Sequence, residues 1–148
     1  MGLIIRSSRI HREGCYTTTL IAKGTRILEY TGERISSQEA DRRYDGREIT
    51  YLFGLSGGKR VIDGNGIAAL INHCCDPNCE AEEIGGRVWI TAIRDICAGE
   101  ELTYDYNLYD GESDVPCRCQ ARKCRGSLYS ERELEKRRKA PRRRKRAA

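Results

Sequence analysis

Three cysteines fall within eight residues in the stretch Cys117-Arg118-Cys119-Gln120-Ala121-Arg122-Lys123-Cys124. The spacing C-x-C-x4-C forces a tight loop whose thiolates can converge on one ion, and tetrahedral zinc then needs a fourth ligand. Cys74, Cys75 and Cys79, well upstream, are the candidates. A site closed by one of them fastens the loop back onto the rest of the chain. It also supplies folding free energy to a segment with almost no apolar side chains. The chain has eight cysteines and no recognisable export signal, so they read as ligands or free thiols before disulfides. Cys15 and Cys97, each isolated, read as core cysteines in strands.

The 148 residues fit one domain, since domains cluster near about 100–150 residues. A two-domain enzyme with a full dinucleotide-binding fold is hard to fit into that length. One Phe, one Trp and one Met argue against a large aromatic core. No apolar run reaches the roughly 18–20 residues of a membrane helix. Leu3-Ile4-Ile5 is too short for a secretory apolar region, and Arg6 stands where N-myristoylation wants Ser or Thr.

Charge is unevenly placed. Nine of the 27 Lys and Arg residues lie between 136 and 146 with no acid among them, which leaves 18 against 22 acids elsewhere. A body near −4 thus carries a tail near +9. An acidic body attracts basic substrates, whereas the tail suits phosphate backbones. The clusters Lys136-Arg137-Arg138-Lys139 and Arg142-Arg143-Arg144-Lys145-Arg146 fit a nuclear-import address, a nucleic-acid tether or a solubilising tail.

Period-2 segments dominate. Residues 26–30 form a strand candidate, and 51–55 and 59–63 flank the loop Ser56-Gly57-Gly58. Residues 79–84 and 87–93 flank Gly85-Gly86, a second hairpin signal in which Val88, Ile90 and Ala92 share one face. A further strand is expected over 101–106. Ser36-Ser37-Gln38-Glu39 is a capping-box pattern opening a helix that Gly46 stops, and Ser130-Glu131-Arg132-Glu133 opens a second, supported by Glu135 and Lys139 and ended by Pro141. The polar stretch 110–114 reads as a linker. Asn72-His73-Cys74-Cys75-Asp76-Pro77-Asn78-Cys79 is dense in polar and ligand residues yet follows the apolar run Ile67-Ala68-Ala69-Leu70-Ile71. That run reads as a buried strand, and polar groups at its end must find partners.

Four motifs, in order over about residues 3–130, carry a family resemblance. They are Gly14-Cys15-Tyr16 leading to Glu29-Tyr30-Thr31-Gly32-Glu33; Tyr51-Leu52-Phe53 followed by Val61-Ile62-Asp63; Ile71-Asn72-His73-Cys74-Cys75-Asp76-Pro77-Asn78; and Gly99-Glu100-Glu101-Leu102-Thr103-Tyr104-Asp105-Tyr106 followed by the C-x-C-x4-C knuckle. The chain resembles the SET-domain protein lysine methyltransferases with a post-SET zinc segment. The resemblance implies a mainly β, β-clip-like fold of several small sheets, with a pseudoknot-like C-terminal arrangement and few short helices. It implies a catalytic domain over 1–109, a zinc knuckle over 110–130 and a basic tail over 131–148.

It further implies S-adenosylmethionine as cofactor, held by Arg12, Glu13, Gly14, Cys15, Tyr51, Asn72, His73, Cys119 and Leu128. One structural zinc ion is implied on Cys75, Cys117, Cys119 and Cys124. The aromatic set around the lysine is implied at Tyr30, Tyr104 and Tyr106, with Tyr106 as the catalytic phenol and Tyr104 limiting the product to one or two methyl groups. The implied substrate is a basic protein, histone or histone-like, and the implied location is nucleus or chromatin, or the nucleoid in a bacterium. The chain departs from the pattern where Arg12 replaces the first Gly of G-x-G, Ala69 stands for a frequent Arg and Cys74 for Ser, and where Leu128 or Tyr129 must serve for a missing cap aromatic. A SET-like module that binds peptide or nucleic acid without turnover is the alternative reading. A zinc-dependent nucleic-acid protein, in which knuckle and tail do everything, is another.

Overall fold

The computed structural model describes residues 2–47, 50–56, 58–109, 111 and 114–140. Their strands are short and form four separate small sheets, the arrangement the resemblance implies. The first is an antiparallel pair of β1 (Leu3–Ser7) and β2 (Glu13–Thr17). A three-stranded sheet places β9 (Arg87–Ala92) between β3 (Arg26–Glu29) and β8 (Cys79–Ile84). A second places β6 (Arg60–Gly64) between β4 (Gly32–Ser36) and β5 (Leu52–Gly54). The last is a parallel pair of two-residue strands, β7 (Asn72–His73) and β10 (Thr103–Tyr104), in register Thr103 with Asn72 and Tyr104 with His73.

The β8–β9 hairpin follows its local chemistry. Gly85 and Gly86 have φ of 59° and 78°, the paired left-handed conformation that a two-residue hairpin turn matching strand twist requires. Alternation then turns Val88, Ile90 and Ala92 inward and Arg87, Trp89 and Thr91 outward. Val88 and Ile90 are wholly buried, each burial contributing about 1.5–3 kcal/mol. They join Cys15, Ile62, Ile71, Ile96 and Leu102 in one core shared by all the sheets.

The helices start where their caps predict. In α1 (Ser37–Tyr44) the Ser36 hydroxyl accepts from the Glu39 N–H, and Gly46 follows at φ 71°. In α2 (Glu131–Lys139) Ser130 accepts from the Glu133 N–H. The ion pair that supports α2 is Glu133 with Arg137 at 3.1 Å rather than the expected Glu135 with Lys139, because the Glu133 carboxylate sits on the buried side. The expected stop at Pro141, the tail beyond it and most of the 110–114 linker lie outside the described residues. No described helix is long and apolar enough to cross a membrane.

Three expectations need correction. Cys97 lies in no strand and is exposed; its amide is instead turned onto the Glu100 carboxylate. The strand expected over 101–106 is reduced to Thr103–Tyr104, because only there does β7 offer a partner edge. The run 67–71 is a 3-10 turn over Ile67–Leu70, not a strand.

Candidate active site and thiol cluster

The β7–β10 pair brings the third and fourth motifs side by side. The Cys74 N–H donates to the Tyr104 carbonyl, and the Tyr106 N–H donates to His73 Nδ1 at 3.0 Å. A ring nitrogen that accepts carries no proton, so neutral His73 is protonated at Nε2, which faces Cys75 Sγ at 3.3 Å. Burial holds His73 neutral by lowering its pKa to about 4; the Asp105 carboxylate opposes this and the Arg125 cation reinforces it.

From His73 an aromatic row runs through the molecule. His73 meets Tyr106 edge-on at 5.3 Å, Tyr106 meets Tyr104 at 4.9 Å, Tyr104 meets Phe53 at 6.4 Å, and Phe53 meets Tyr30 at 5.1 Å. The Tyr106 hydroxyl donates to the Ile71 carbonyl at 2.6 Å, and the Tyr30 hydroxyl donates to the Tyr51 carbonyl at 2.7 Å. All three phenols are pushed above their ordinary range, chiefly by burial; the Glu101 carboxylate adds to this at Tyr106. They remain protonated at any physiological pH.

The turn of the β1–β2 hairpin is fastened to the other end of β7. Asn72 Nδ2 donates to the His11 carbonyl at 3.2 Å, to the Glu13 carbonyl at 2.9 Å and to Glu101 Oε1 at 2.8 Å. Glu101 also accepts from the Ser8 hydroxyl at 2.8 Å and from the Tyr16 hydroxyl at 3.3 Å. One carboxylate therefore ties hairpin and β7 together. Gly14 permits that approach: a Cβ there would stand 2.1 Å from Glu101 Oε1. Arg12 sits at φ 40°, a left-handed conformation that costs a residue with a Cβ about 1–2 kcal/mol. The backbone keeps a path suited to glycine although Arg12 occupies it.

The knuckle meets the same segment. The sulfurs of Cys75, Cys117, Cys119 and Cys124 lie within 4.8 Å of one another, and no disulfide joins them. Each receives a backbone N–H: Cys119 from Cys75 at 3.5 Å, Cys117 from Cys119 at 3.4 Å, Cys75 from Arg125 at 3.3 Å and Cys124 from Gly126 at 3.4 Å. Amides aimed at sulfur favour thiolate, so the donor set suits a thiophilic cation. Of the three upstream candidates, Cys75 completes the cluster. Cys79 is buried in the core, and Cys74 turns to the backbone of Asp76. Arg125 adds a second tie, with both guanidinium arms on Asp105 at 2.7 and 3.0 Å and further bonds to the Tyr129 carbonyl.

The structure thus gathers Arg12, Glu13, Gly14, Cys15, Asn72, His73 and Cys119 around one eight-residue segment and its neighbours. Burial, then the Glu101 charge, pushes the Cys15 thiol up to about 11, so it is a neutral core group. Tyr51 joins through its carbonyl to Tyr30. Leu128 stands apart, its backbone bonded to Val115 and Leu108. Sequence reasoning assigned no role to Glu101, Phe53, Asp105 or Arg125. The first three lie inside the four motifs, but their partners are distant in the chain and nothing local marks them.

The SET domain family model matches residues 12–107. A histone-lysine N-methyltransferase of Saccharomyces cerevisiae, described as H3 lysine-4 specific, is 46% identical over 136 residues, covering 82% of this chain and 12% of that protein. A protein of the same description from Candida albicans is 42% identical over 136 residues, covering 82% and 13%. The histone-lysine N-methyltransferase trithorax of Drosophila melanogaster is 40% identical over 133 residues, covering 82% and 4%. The chain spans 4–13% of the length of these curated relatives.

Proposed function

The chain belongs to the SET-domain family, and on that premise we propose that it is a protein-lysine N-methyltransferase. In this reading it uses S-adenosylmethionine to place one or two methyl groups on a lysine of a histone or histone-like protein. The carrying observation is the aromatic row from Tyr30 to Tyr106, which ends on the segment that also holds the hairpin. The names of the relatives support a histone substrate and a place on chromatin.

When bound, the cofactor supplies an electrophilic methyl group on a sulfonium. Everything else falls to the chain. Transfer needs nitrogen, methyl and sulfur in line, so fixed orientation is a large part of the rate. The hairpin at Glu13, Gly14 and Cys15, together with Asn72 and His73, forms the donor side in this reading; Arg12, Tyr51, Cys119 and Leu128 complete the set.

The target amine must also be neutral. Deprotonating a lysine of reference pKa about 10.4 near pH 8 costs roughly 3 kcal/mol. Tyrosine and phenylalanine walls lower that cost by removing water. Their faces hold the cation on entry, each worth about 0.5–2 kcal/mol. The Tyr106 phenol, neutral and anchored on the Ile71 carbonyl, keeps lone pairs with which to accept from the amine N–H, which turns the nitrogen lone pair toward the donor. Tyr104 fills the space that added methyls would need. The four thiols would hold a zinc ion, and with all four sulfurs as ligands it would serve structure rather than catalysis.

Labelled methyl transfer from S-adenosylmethionine to a histone mixture tests this reading, with Tyr106→Phe as control. The expected result is label on a histone lysine, reduced by about 100-fold or more in the control. No transfer by the zinc-loaded chain to any histone would overturn the reading. Mass spectrometry of the Tyr104→Phe product should show a shift to higher methylation; an unchanged distribution would remove Tyr104 from that role.

A further inference from the structure

Several described arginines are held in ion pairs. Arg43 meets Glu33, Glu39 and Asp63, Arg87 meets Glu29, Arg94 meets Glu100, Arg125 meets Asp105 and Arg137 meets Glu133. Two adjacent loops carry cations that are not so held. The hairpin turn exposes Arg9 and Arg12, and the knuckle exposes Arg118, Arg122 and Lys123. Among the described residues none of these five side chains enters an ion pair or hydrogen bond with the rest of the chain.

The two loops are neighbours. Gln120 of the knuckle donates to the Arg9 carbonyl at 3.5 Å. Both are fastened to one short segment, the hairpin by Asn72 and the knuckle by the Cys75 amide. The single exposed carboxylate across 8–13 and 117–125 is Glu13. Five unpaired cations are therefore presented together on two braced loops.

We propose that this face is a docking surface for the phosphate backbone of duplex nucleic acid. Long cationic side chains with no internal partner suit a polymer that carries one charge per about 1.7 Å of axis. The two loops carry one ring, the exposed His11, and no Phe, Tyr or Trp between 8 and 13 or between 117 and 125. Single-strand binders pair a basic groove with a series of aromatics on which successive bases stack, and a single imidazole supplies no such series. It reads charge and not sequence, because nothing on it is placed to reach base edges. The five cations are other residues than the basic run beyond residue 136, and the proposal stands whether or not the chain transfers methyl groups.

The test uses the zinc-loaded full chain, a mixed-sequence DNA duplex and fluorescence anisotropy over a range of salt concentrations. The variant Arg9→Gln/Arg118→Gln/Arg122→Gln/Lys123→Gln removes four of the five cations and leaves Arg12 in place. The slope of log affinity against log salt should flatten by about 3–4, at roughly 0.9 for each phosphate no longer neutralised. Deleting 136–148 should leave that difference between parent and variant intact. If the fourfold variant fails to fold, Arg122→Gln/Lys123→Gln serves, with an expected change of about 2. An unchanged slope overturns the proposal. So does displacement of the duplex by polyglutamate at equal charge, which would assign the face to an acidic polypeptide, or equal affinity for a single strand.

Discussion

The sheets and the knuckle are held by different forces. In the sheets, Cys15, Cys79, Val88 and Ile90 are wholly buried, and water exclusion is the main source of order. Between 117 and 130 only Cys119 and Tyr129 are buried. That stretch is ordered by four converging sulfurs, the Arg125–Asp105 fork and an isolated bridge of Pro116 with Ser127. The body is therefore ordered unconditionally, whereas the knuckle is ordered only while its polar ties are complete. Yet the two share the segment Asn72 to Cys79, so a fault in the weaker region is felt in the chemistry of the stronger one.

Removing the metal should separate them most. Structural zinc contributes about 10–16 kcal/mol of folding free energy in small metal-held units. Chelation, or Cys124→Ser, should abolish hydrogen-exchange protection at the Cys117 and Leu128 amides while β8 and β9 keep theirs. Simultaneous loss in both regions would mean that the division is wrong. The reciprocal case is Ile90→Ala, which should lower global stability to urea by about 2–5 kcal/mol and leave zinc affinity of the folded chain unchanged.

Arg125→Ala comes next. It strips a charge-assisted fork from Asp105 and should loosen the knuckle by about 1.5–3 kcal/mol, read as faster exchange at the Leu128 amide. Arg125→Lys restores charge without the two-armed geometry and should recover only part of the loss. Full recovery would reduce the tie to simple charge. The smallest effect is expected at Arg12. Arg12→Gly relieves the left-handed strain of about 1–2 kcal/mol but adds roughly 0.5–1 kcal/mol of chain entropy. A net gain of no more than about 1.5 kcal/mol should raise the melting temperature by no more than about 6 °C. A drop would show that the Arg12 side chain stabilises the turn.

Legibility in the sequence follows the same divide between local and distant causes. The β8–β9 hairpin, both capped helices and the cysteine spacing carry their instructions within a few residues, and the structure follows them. Strands β1 and β2 lack a clean alternation, because Gly14 serves a close approach to Glu101 and Cys15 faces a core built by other sheets. The two-residue strands β7 and β10 exist only as partners of each other. Phe53 is visible as a motif letter, but its place between Tyr30 and Tyr104 depends on sheets that close far along the chain. Cys97 misleads because isolation in sequence says nothing about depth.

The adjacency of His73 and Cys75, with Nε2 and Sγ 3.3 Å apart, bears on how preparations of this protein behave. If the cluster holds zinc and the chain transfers methyl groups as proposed, a batch short of the metal would be a mixture of competent and incompetent molecules. On that reading, methyl transfer per milligram should scale with metal occupancy, while the half-saturating concentration of S-adenosylmethionine stays constant.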